Sequence, residues 1–165
     1  AWTEPFWKKA GKSGKELKAH AGEFGPAENV AHAIEKLGVR RIQHGIRASE
    51  DEEVLNRILD TGTTLDICPI SNFKLRVIKN WTDHPLKNFL DRSISCTVST
   101  DDPFSFGNNL MQEYQTCIEK LSISPAEIAE LAKNGFEVAA IEESRKKYFQ
   151  KKIDTLTKEF MRHYE

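Results

Sequence analysis

The chain repeats one pattern of hydrophobic and polar positions. Each copy has a short run of extended type, then a turn with glycine or polar residues, then apolar residues at helical spacing. The first copy starts at residues 16–23 (ELKAHAGE) and leads into a helix that ends near Gly38. Further strands are predicted at residues 40–44, 63–68 and 93–100. Four βα units in series predict a parallel sheet with helices packed against it.

The segments on either side of these units have helical patterns. Residues 1–15 are predicted to be the end of a preceding helix, and the four βα units occupy residues 16–120. Residues 121–165 are predicted to be helical, starting from a serine cap at Ser124 with proline and glutamate after it. No linker rich in proline, glycine or serine interrupts the chain, so we expect a single domain over residues 1–165.

Composition narrows the possible partners and the compartment. The 165 residues include 24 Lys+Arg and 25 Asp+Glu, for a net charge of −1, which gives no basic excess for nucleic acid or an anionic membrane. No stretch is apolar enough to span a bilayer, and the first residues lack the order of a signal peptide. The 3 cysteines have no CxxC spacing. We therefore expect a cytoplasmic protein that binds neither nucleic acid nor a membrane.

Ionisable residues stand where the predicted strands end. His20 and Glu23 end the first strand, His44 ends the second, and Asp101 and Asp102 follow the fourth. Active-site residues of α/β proteins gather at the carboxyl ends of parallel strands, because the βα loops converge there. Two histidines, a glutamate and two aspartates in one concave site can supply zinc ligands together with a general acid and base.

Each of these residues also has an ordinary structural interpretation. A single histidine in a strand is more often a packed residue than a ligand, and Asp101-Asp102-Pro103 alone is typical of a turn or a helix cap. His84, which precedes Pro85 at a helix start, is predicted to cap or pack rather than react. The placement of the other residues at successive strand ends favours a shared site.

Four motifs, taken in order, resemble those of a known family. HAGE at residues 20–23, HGIR at 44–47, CPISN at 68–72 and STDDP at 99–103 are similar to the motifs of the adenosine/adenine deaminase family in the amidohydrolase superfamily. The resemblance extends over roughly residues 16–140. It implies a (βα)8 TIM-type barrel and zinc-dependent deamination of a 6-aminopurine.

The resemblance also implies a role for each candidate residue. His20 and Asp101 resemble two of the family's Zn²⁺ ligands, and Glu23 resembles the acid that protonates purine N1. His44 resembles the histidine that orients the water nucleophile. Asp102 resembles the residue that hydrogen-bonds purine N7.

The sequence departs from the family in lacking an H-x-H pair, which in the family supplies two further zinc ligands from the first barrel strand. Four parallel strands also cannot close a barrel that needs eight. We therefore expect an α/β fragment, the C-terminal half of the barrel with about four parallel strands followed by C-terminal helices. Its partner would be the N-terminal half of the same enzyme, without which it would be inactive; the oligomeric state stays open.

Three functions remain in contention on the sequence alone. Deamination of adenosine to inosine and ammonia is favoured. Deamination of adenine to hypoxanthine is the alternative within the class, because SNFKLRV and HPLKNFL (residues 71–77 and 84–90) resemble adenine deaminases. A non-catalytic fragment is the alternative outside the class, and only the missing H-x-H supports it.

Overall fold

A computed structural model describes residues 2–164, so Ala1 and Glu165, the ends of the predicted domain, lie outside the described residues. Four strands form one parallel sheet in the order β1-β2-β3-β4. They are β1 (Lys18–Ala21), β2 (Arg41–His44), β3 (Thr64–Ile67) and β4 (Cys96–Val98). Each strand is shorter than predicted, but all four lie inside the predicted ranges.

Helices precede, connect and follow the strands. They are α1 (Glu4–Lys12), α2 (Glu28–Lys36), α3 (Glu52–Thr61), α4 (Pro69–Lys74), α5 (Leu86–Asp91), α6 (Pro103–Phe106), α7 (Leu110–Leu121), α8 (Pro125–Glu137) and α9 (Glu143–Tyr164). Short 3₁₀ turns cover Ile46–Glu50 and Trp81–Asp83. None of the helices within residues 2–164 is both long and apolar enough to span a membrane.

The core lies between the sheet and the helices of the βα units. Central strands contribute Ile42 and Leu65, which are buried on the sheet, and α3 packs Leu55 and Ile58 toward them. Every residue of β3 is buried, as expected for a strand with two parallel neighbours. This packing fixes the strands, and with them the positions of the loops at their carboxyl ends.

The segment after β3 corrects one expectation. The repeated pattern predicts a turn directly after each strand, but after β3 residues Pro69–Lys74 form α4. Proline at the first helical position is favourable because its fixed φ suits a helix and its missing N–H would have no partner there. The prediction was wrong because the same residue type opens both turns and helices.

The predicted helix start at Ser124 is confirmed. Ser124 and Glu127 form a capping box at the start of α8, in which each side chain bonds the other's backbone N–H. Helix α9 packs against α8 through the stacked rings of Phe136 and Phe149, whose centroids are 4.6 Å apart. Helix α8 thus lies against β4, and α9 lies on α8.

His84 is buried at the start of α5, and this makes the stability depend on pH. Its Nδ1 accepts a hydrogen bond from the backbone N–H of Leu86 at 3.2 Å, which confirms the expected capping role. Burial lowers the pKa of His84 from 6.5 to about 4. The unfolded chain therefore takes up a proton first as pH falls, so the stability that neutral His84 provides is present above pH 6.5 and declines toward pH 4.

We expect His84→Asn to make the free energy of unfolding less dependent on pH between 6.5 and 4, by up to about 1.4 kcal/mol per pH unit. Asparagine can accept the Leu86 hydrogen bond but does not titrate. Urea unfolding at pH 7 and pH 5 measures the change, with exposed His32→Asn as the control. A pH dependence in His84→Asn as steep as that of the wild type would contradict the assignment.

Candidate metal centre and active site

The candidate residues come from three of the four strands of the sheet. His20 lies within β1 and Glu23 follows that strand, His44 is the last residue of β2, and Asp101 follows β4. The four side chains meet at the carboxyl edge of the sheet. Parallel pairing places them there, since Ala21 of β1 is in register with His44 of β2.

Glycine allows two of the turns to approach one another. Gly22 and Gly45 have φ angles of 64° and 70°, in the left-handed region that glycine adopts readily. A Cβ on Gly22 would lie 2.5 Å from Val30 Cγ2 and 3.3 Å from the Gly45 backbone, so a larger residue would force the turns apart. The close approach brings Glu23 next to His44.

His20, His44 and Asp101 form a cluster with the chemistry of a metal site. One potential ligand atom from each lies within 4.8 Å of the others, and the two imidazole rings have centroids 5.4 Å apart. Imidazole nitrogen and carboxylate oxygen are donors that zinc prefers in catalytic sites. The residues present therefore fit a zinc ion. A zinc ion held by His20 and Asp101 alone would still need further ligands.

Contacts on both ring nitrogens fix the direction of His44. Asn72 Nδ2 lies 3.2 Å from His44 Nδ1, and an amide nitrogen can only donate, so the ring proton belongs on Nε2. Nε2 lies 3.4 Å from Glu23 Oε2 and 3.9 Å from Asp101 Oδ2. Burial lowers the pKa of His44 to about 4, which keeps the ring neutral at pH 7. His44 thus presents an N–H donor between two carboxyl groups.

The surroundings of Glu23 favour the protonated form of its carboxyl group. Its Oε1 is buried and has no hydrogen-bond partner among the described residues. Burial, and then the negative charge of Asp101, raise its pKa above the usual value. A carboxyl group with one free buried oxygen and a raised pKa is suited to giving a proton to a bound molecule.

Asp101 is held in an unusual backbone conformation. Its φ is 60° and that of His44 is 67°, and both are in the left-handed region that non-glycine residues rarely adopt. Ser71 on α4 donates a hydrogen bond of 2.6 Å to Asp101 Oδ2. Strained residues of this kind persist where the surrounding structure over-determines them, and they cluster at functional sites.

The Asp102 carboxylate has a different set of contacts. It caps α6, accepting from the backbone N–H and the hydroxyl of Ser105, and these bonds lower its pKa. No hydrogen bond or ion pair within residues 2–164 joins it to the other four candidates. Four of the five candidates therefore come together, and the fifth caps the helix that follows Asp101.

A sequence model of one protein family matches most of the chain. The family is described as adenosine deaminase, and the match covers residues 2–156. The chain belongs to this family. The motif resemblance is thereby confirmed.

Curated relatives of this family member include adenine deaminases from bacteria. The adenine deaminase of Marinomonas sp. (strain MWYL1) is 41% identical over 143 residues, which are 87% of this chain and 43% of the relative. The adenine deaminase of Wolinella succinogenes is 39% identical over 142 residues, 86% of this chain and 43% of the relative. The chain thus spans less than half the length of the curated relatives it matches.

Solved structures confirm the fold. An adenine deaminase from Arthrobacter aurescens superposes with a TM-score of 0.89 at 34% identity, over 94% of this chain and 47% of the solved one. An amidohydrolase from Burkholderia ambifaria with bound zinc superposes with a TM-score of 0.86 at 22% identity, over 97% and 45%. The four parallel βα units of this family member therefore match less than half of a TIM-type barrel.

Sequence reasoning missed one residue that supports the site. Glu113 of α7 is fully buried, accepts hydrogen bonds from Ile70 N and Asn108 Nδ2, and has a pKa that burial raises to about 7. A signal was present, because Glu113 shares a helix face with buried Cys117 and Leu121. A carboxylate on an apolar face calls for a specific partner.

Proposed function

We propose that the protein carrying this chain is a metal-dependent hydrolase that deaminates adenine to hypoxanthine and ammonia. The observation that carries the proposal is the meeting of His20, Glu23, His44 and Asp101 at one edge of the sheet. The set combines donors of the kind that bind zinc with an acid of raised pKa and a neutral histidine. Hydrolytic loss of an amino group requires these three functions.

His20 and Asp101 are the residues that would hold the metal. When bound, zinc supplies a hydroxide nucleophile at neutral pH by lowering the pKa of water to about 7. The sequence contains no H-x-H pair, so in this proposal the other ligands come from another part of the protein. The relatives, more than twice the length of the matched region, are consistent with that division.

His44 and Asp101 act on the water that attacks C6 of the purine. Neutral His44 donates its Nε2 proton in a hydrogen bond to the water oxygen and so orients it. Asp101 accepts one proton from the water as its oxygen bonds to C6. Ser71 holds one oxygen of the carboxylate, which fixes the direction of the other.

Glu23 acts on N1, the ring nitrogen bonded to C6. It gives its proton to N1, so that negative charge does not build up on the ring while C6 becomes tetrahedral. The amino group then leaves as ammonia with the proton that Asp101 took, and the hydroxyl proton at C6 returns to Glu23. The product is hypoxanthine with a proton on N1.

Adenine is the proposed substrate because adenine deaminases are the relatives at 36–41% identity. Adenosine, which the motifs favoured, is the second candidate, and the description of the matching family supports it. Values of kcat/KM for both compounds on the intact zinc-loaded protein test the choice. We expect adenine to exceed adenosine by more than about 10-fold, and a preference for adenosine would overturn the substrate assignment.

The state of Asp102 also favours the free base. Donors on Ser105 keep the Asp102 carboxylate ionised, so it can only accept hydrogen bonds. Purine N7 of adenosine also only accepts, whereas free adenine has a mobile imidazole proton that can sit on N7. An ionised Asp102 can therefore bind N7–H of adenine without taking up a proton.

We expect 7-deazaadenine to be a much poorer substrate than adenine, and Asp102→Ala to shrink that difference. An unsatisfied polar group costs about 1–3 kcal/mol, equivalent to about 5- to 150-fold in kcat/KM. The measurement is kcat/KM for both compounds on both proteins, with Asp102→Asn, which keeps an oxygen that can cap α6, separating loss of the helix cap from loss of the carboxylate. The same ratio in wild type and Asp102→Ala would leave Asp102 only its capping role.

A further inference from the structure

One buried carboxylate, Glu113, joins the two segments that hold the candidate site. Its Oε2 accepts a hydrogen bond of 3.1 Å from the backbone N–H of Ile70, at the start of α4. Its Oε1 accepts from Nδ2 of Asn108, at 2.5 Å. Glu113 is 0% exposed, so neither bond competes with water. The two partners lie on different strand-end segments, one after β3 and the other after β4.

Each of the two hydrogen bonds of Glu113 connects it to residues that contact or adjoin the candidate site. Ile70 is followed by Ser71, which bonds the Asp101 carboxylate, and by Asn72, which bonds the His44 ring. Asn108 Nδ2 also donates to the backbone oxygen of Thr100, the residue before Asp101. Asp101 is therefore held from its side chain and from its backbone, and both routes pass through Glu113.

A carboxylate at this position is difficult to explain as packing. A buried carboxylate is unfavourable unless it is hydrogen-bonded, and an apolar residue would fill the same volume without that penalty. Glu113 shares its helix face with Cys117 and Leu121, which pack in the core. What distinguishes Glu113 is that it bonds donors from two segments at once.

We propose that Glu113 is a positioning residue for the candidate metal centre. Through α4 and Asn108 it fixes the directions of the Asp101 carboxylate and the His44 ring. The strained φ of Asp101 gives this link its importance, because such a conformation persists only when several contacts enforce it. The inference rests on the proposed function in taking Asp101 as a metal ligand.

Glu113→Gln in the intact protein tests the link with little change of volume. Glutamine keeps one carbonyl acceptor but turns an NH₂ group toward one of the two donors, so one bond is lost. Residues around metal ligands typically contribute about 10- to 100-fold in metal affinity or activity. We expect the Kd for Zn²⁺, measured by competition with a chromophoric chelator, to rise by about that factor, and kcat to fall with KM within about twofold.

Two comparisons separate positioning from general destabilisation. Leu121→Ala removes buried apolar volume from the same helix without removing a side-chain hydrogen bond to either segment, and it should leave the Zn²⁺ Kd at the wild-type value. Asn108→Ala removes the connection from Glu113 to Thr100 but keeps the bond to Ile70, and it replaces Glu113→Gln as the test if that variant fails to fold. We expect it to raise the Zn²⁺ Kd several-fold. A Kd in Glu113→Gln or Asn108→Ala that matches Leu121→Ala would overturn the proposal.

A second readout does not need metal or turnover. The ¹⁵N shifts of the His44 ring in the metal-free protein report which nitrogen carries the proton, and Glu113→Gln should shift that balance because Asn72 moves with α4. If the wild-type protein binds Zn²⁺ but deaminates neither adenine nor adenosine, the proposed function is wrong and the role of Glu113 in positioning the metal centre still stands. Unchanged His44 shifts in Glu113→Gln would overturn the inference whatever the activity.

Discussion

Glu23→Gln is expected to lower kcat for adenine by about 10²- to 10⁴-fold while zinc content stays at the wild-type level. Glutamine has the shape of the acid but no proton to give to N1. The raised pKa of Glu23 and its free buried oxygen are the features that make the carboxyl group a proton donor. Because Glu23 is not in the cluster of metal donors, its replacement should spare the metal.

The measurement is steady-state ammonia release together with elemental analysis of zinc. Glu28→Gln is the matched control, since Glu28 is an exposed glutamate at the start of the following helix and should have wild-type kcat. A Glu23→Gln protein within twofold of wild-type activity would remove Glu23 from the role of acid. Loss of zinc from that protein would instead make Glu23 a ligand.

Asp101→Ala is expected to lose both metal and activity, with turnover below about 1% of wild type. The change removes a carboxylate that would bind the metal. It also leaves the Ser71 hydroxyl without its acceptor and His44 Nε2 without the nearby Asp101 oxygen. It also places alanine at a φ of 60°, which costs about 1–2 kcal/mol of stability by itself. Asp101→Asn avoids that penalty, since asparagine tolerates this conformation, and should still bind zinc weakly.

Ser93→Ala provides the control for backbone strain. Ser93 is exposed and has the same φ of 60°, so its replacement by alanine should reduce stability as Asp101→Ala does without changing zinc content. Elemental analysis and thermal unfolding of the three variants measure the two effects separately. Full zinc occupancy in Asp101→Ala would contradict its assignment as a ligand.

The sheet and most of the site could be predicted because their causes are local in sequence. A repeated βα pattern fixes parallel strands, and parallel strands bring their carboxyl ends to one edge. His20, Glu23, His44 and Asp101 were predicted on this basis, and the structure brings them together. The short form of the strands was not predicted, since the sequence pattern does not mark where backbone pairing between the strands ends.

The supporting contacts could not be predicted because their causes are distant in sequence. Glu113 bonds Ile70 across 43 positions, and nothing near either residue indicates the other. The left-handed φ of His44 has no local signal either, because histidine in a strand usually has extended backbone. The motif containing Asp102 suggests both a helix cap and a purine contact. The structure contains the cap, in which Asp102 accepts a hydrogen bond from the backbone N–H of Ser105. The purine contact stays a prediction.

Ammonia release from adenine before and after removal of metal tests the central claim most directly. The intact protein is loaded with Zn²⁺, assayed, treated with a chelator and assayed again, and then reloaded. The account predicts one ammonia and one hypoxanthine per adenine consumed, loss of activity on chelation and recovery with Zn²⁺. It would be contradicted if the metal-loaded protein released no ammonia from adenine or adenosine, or if the full rate survived complete removal of metal.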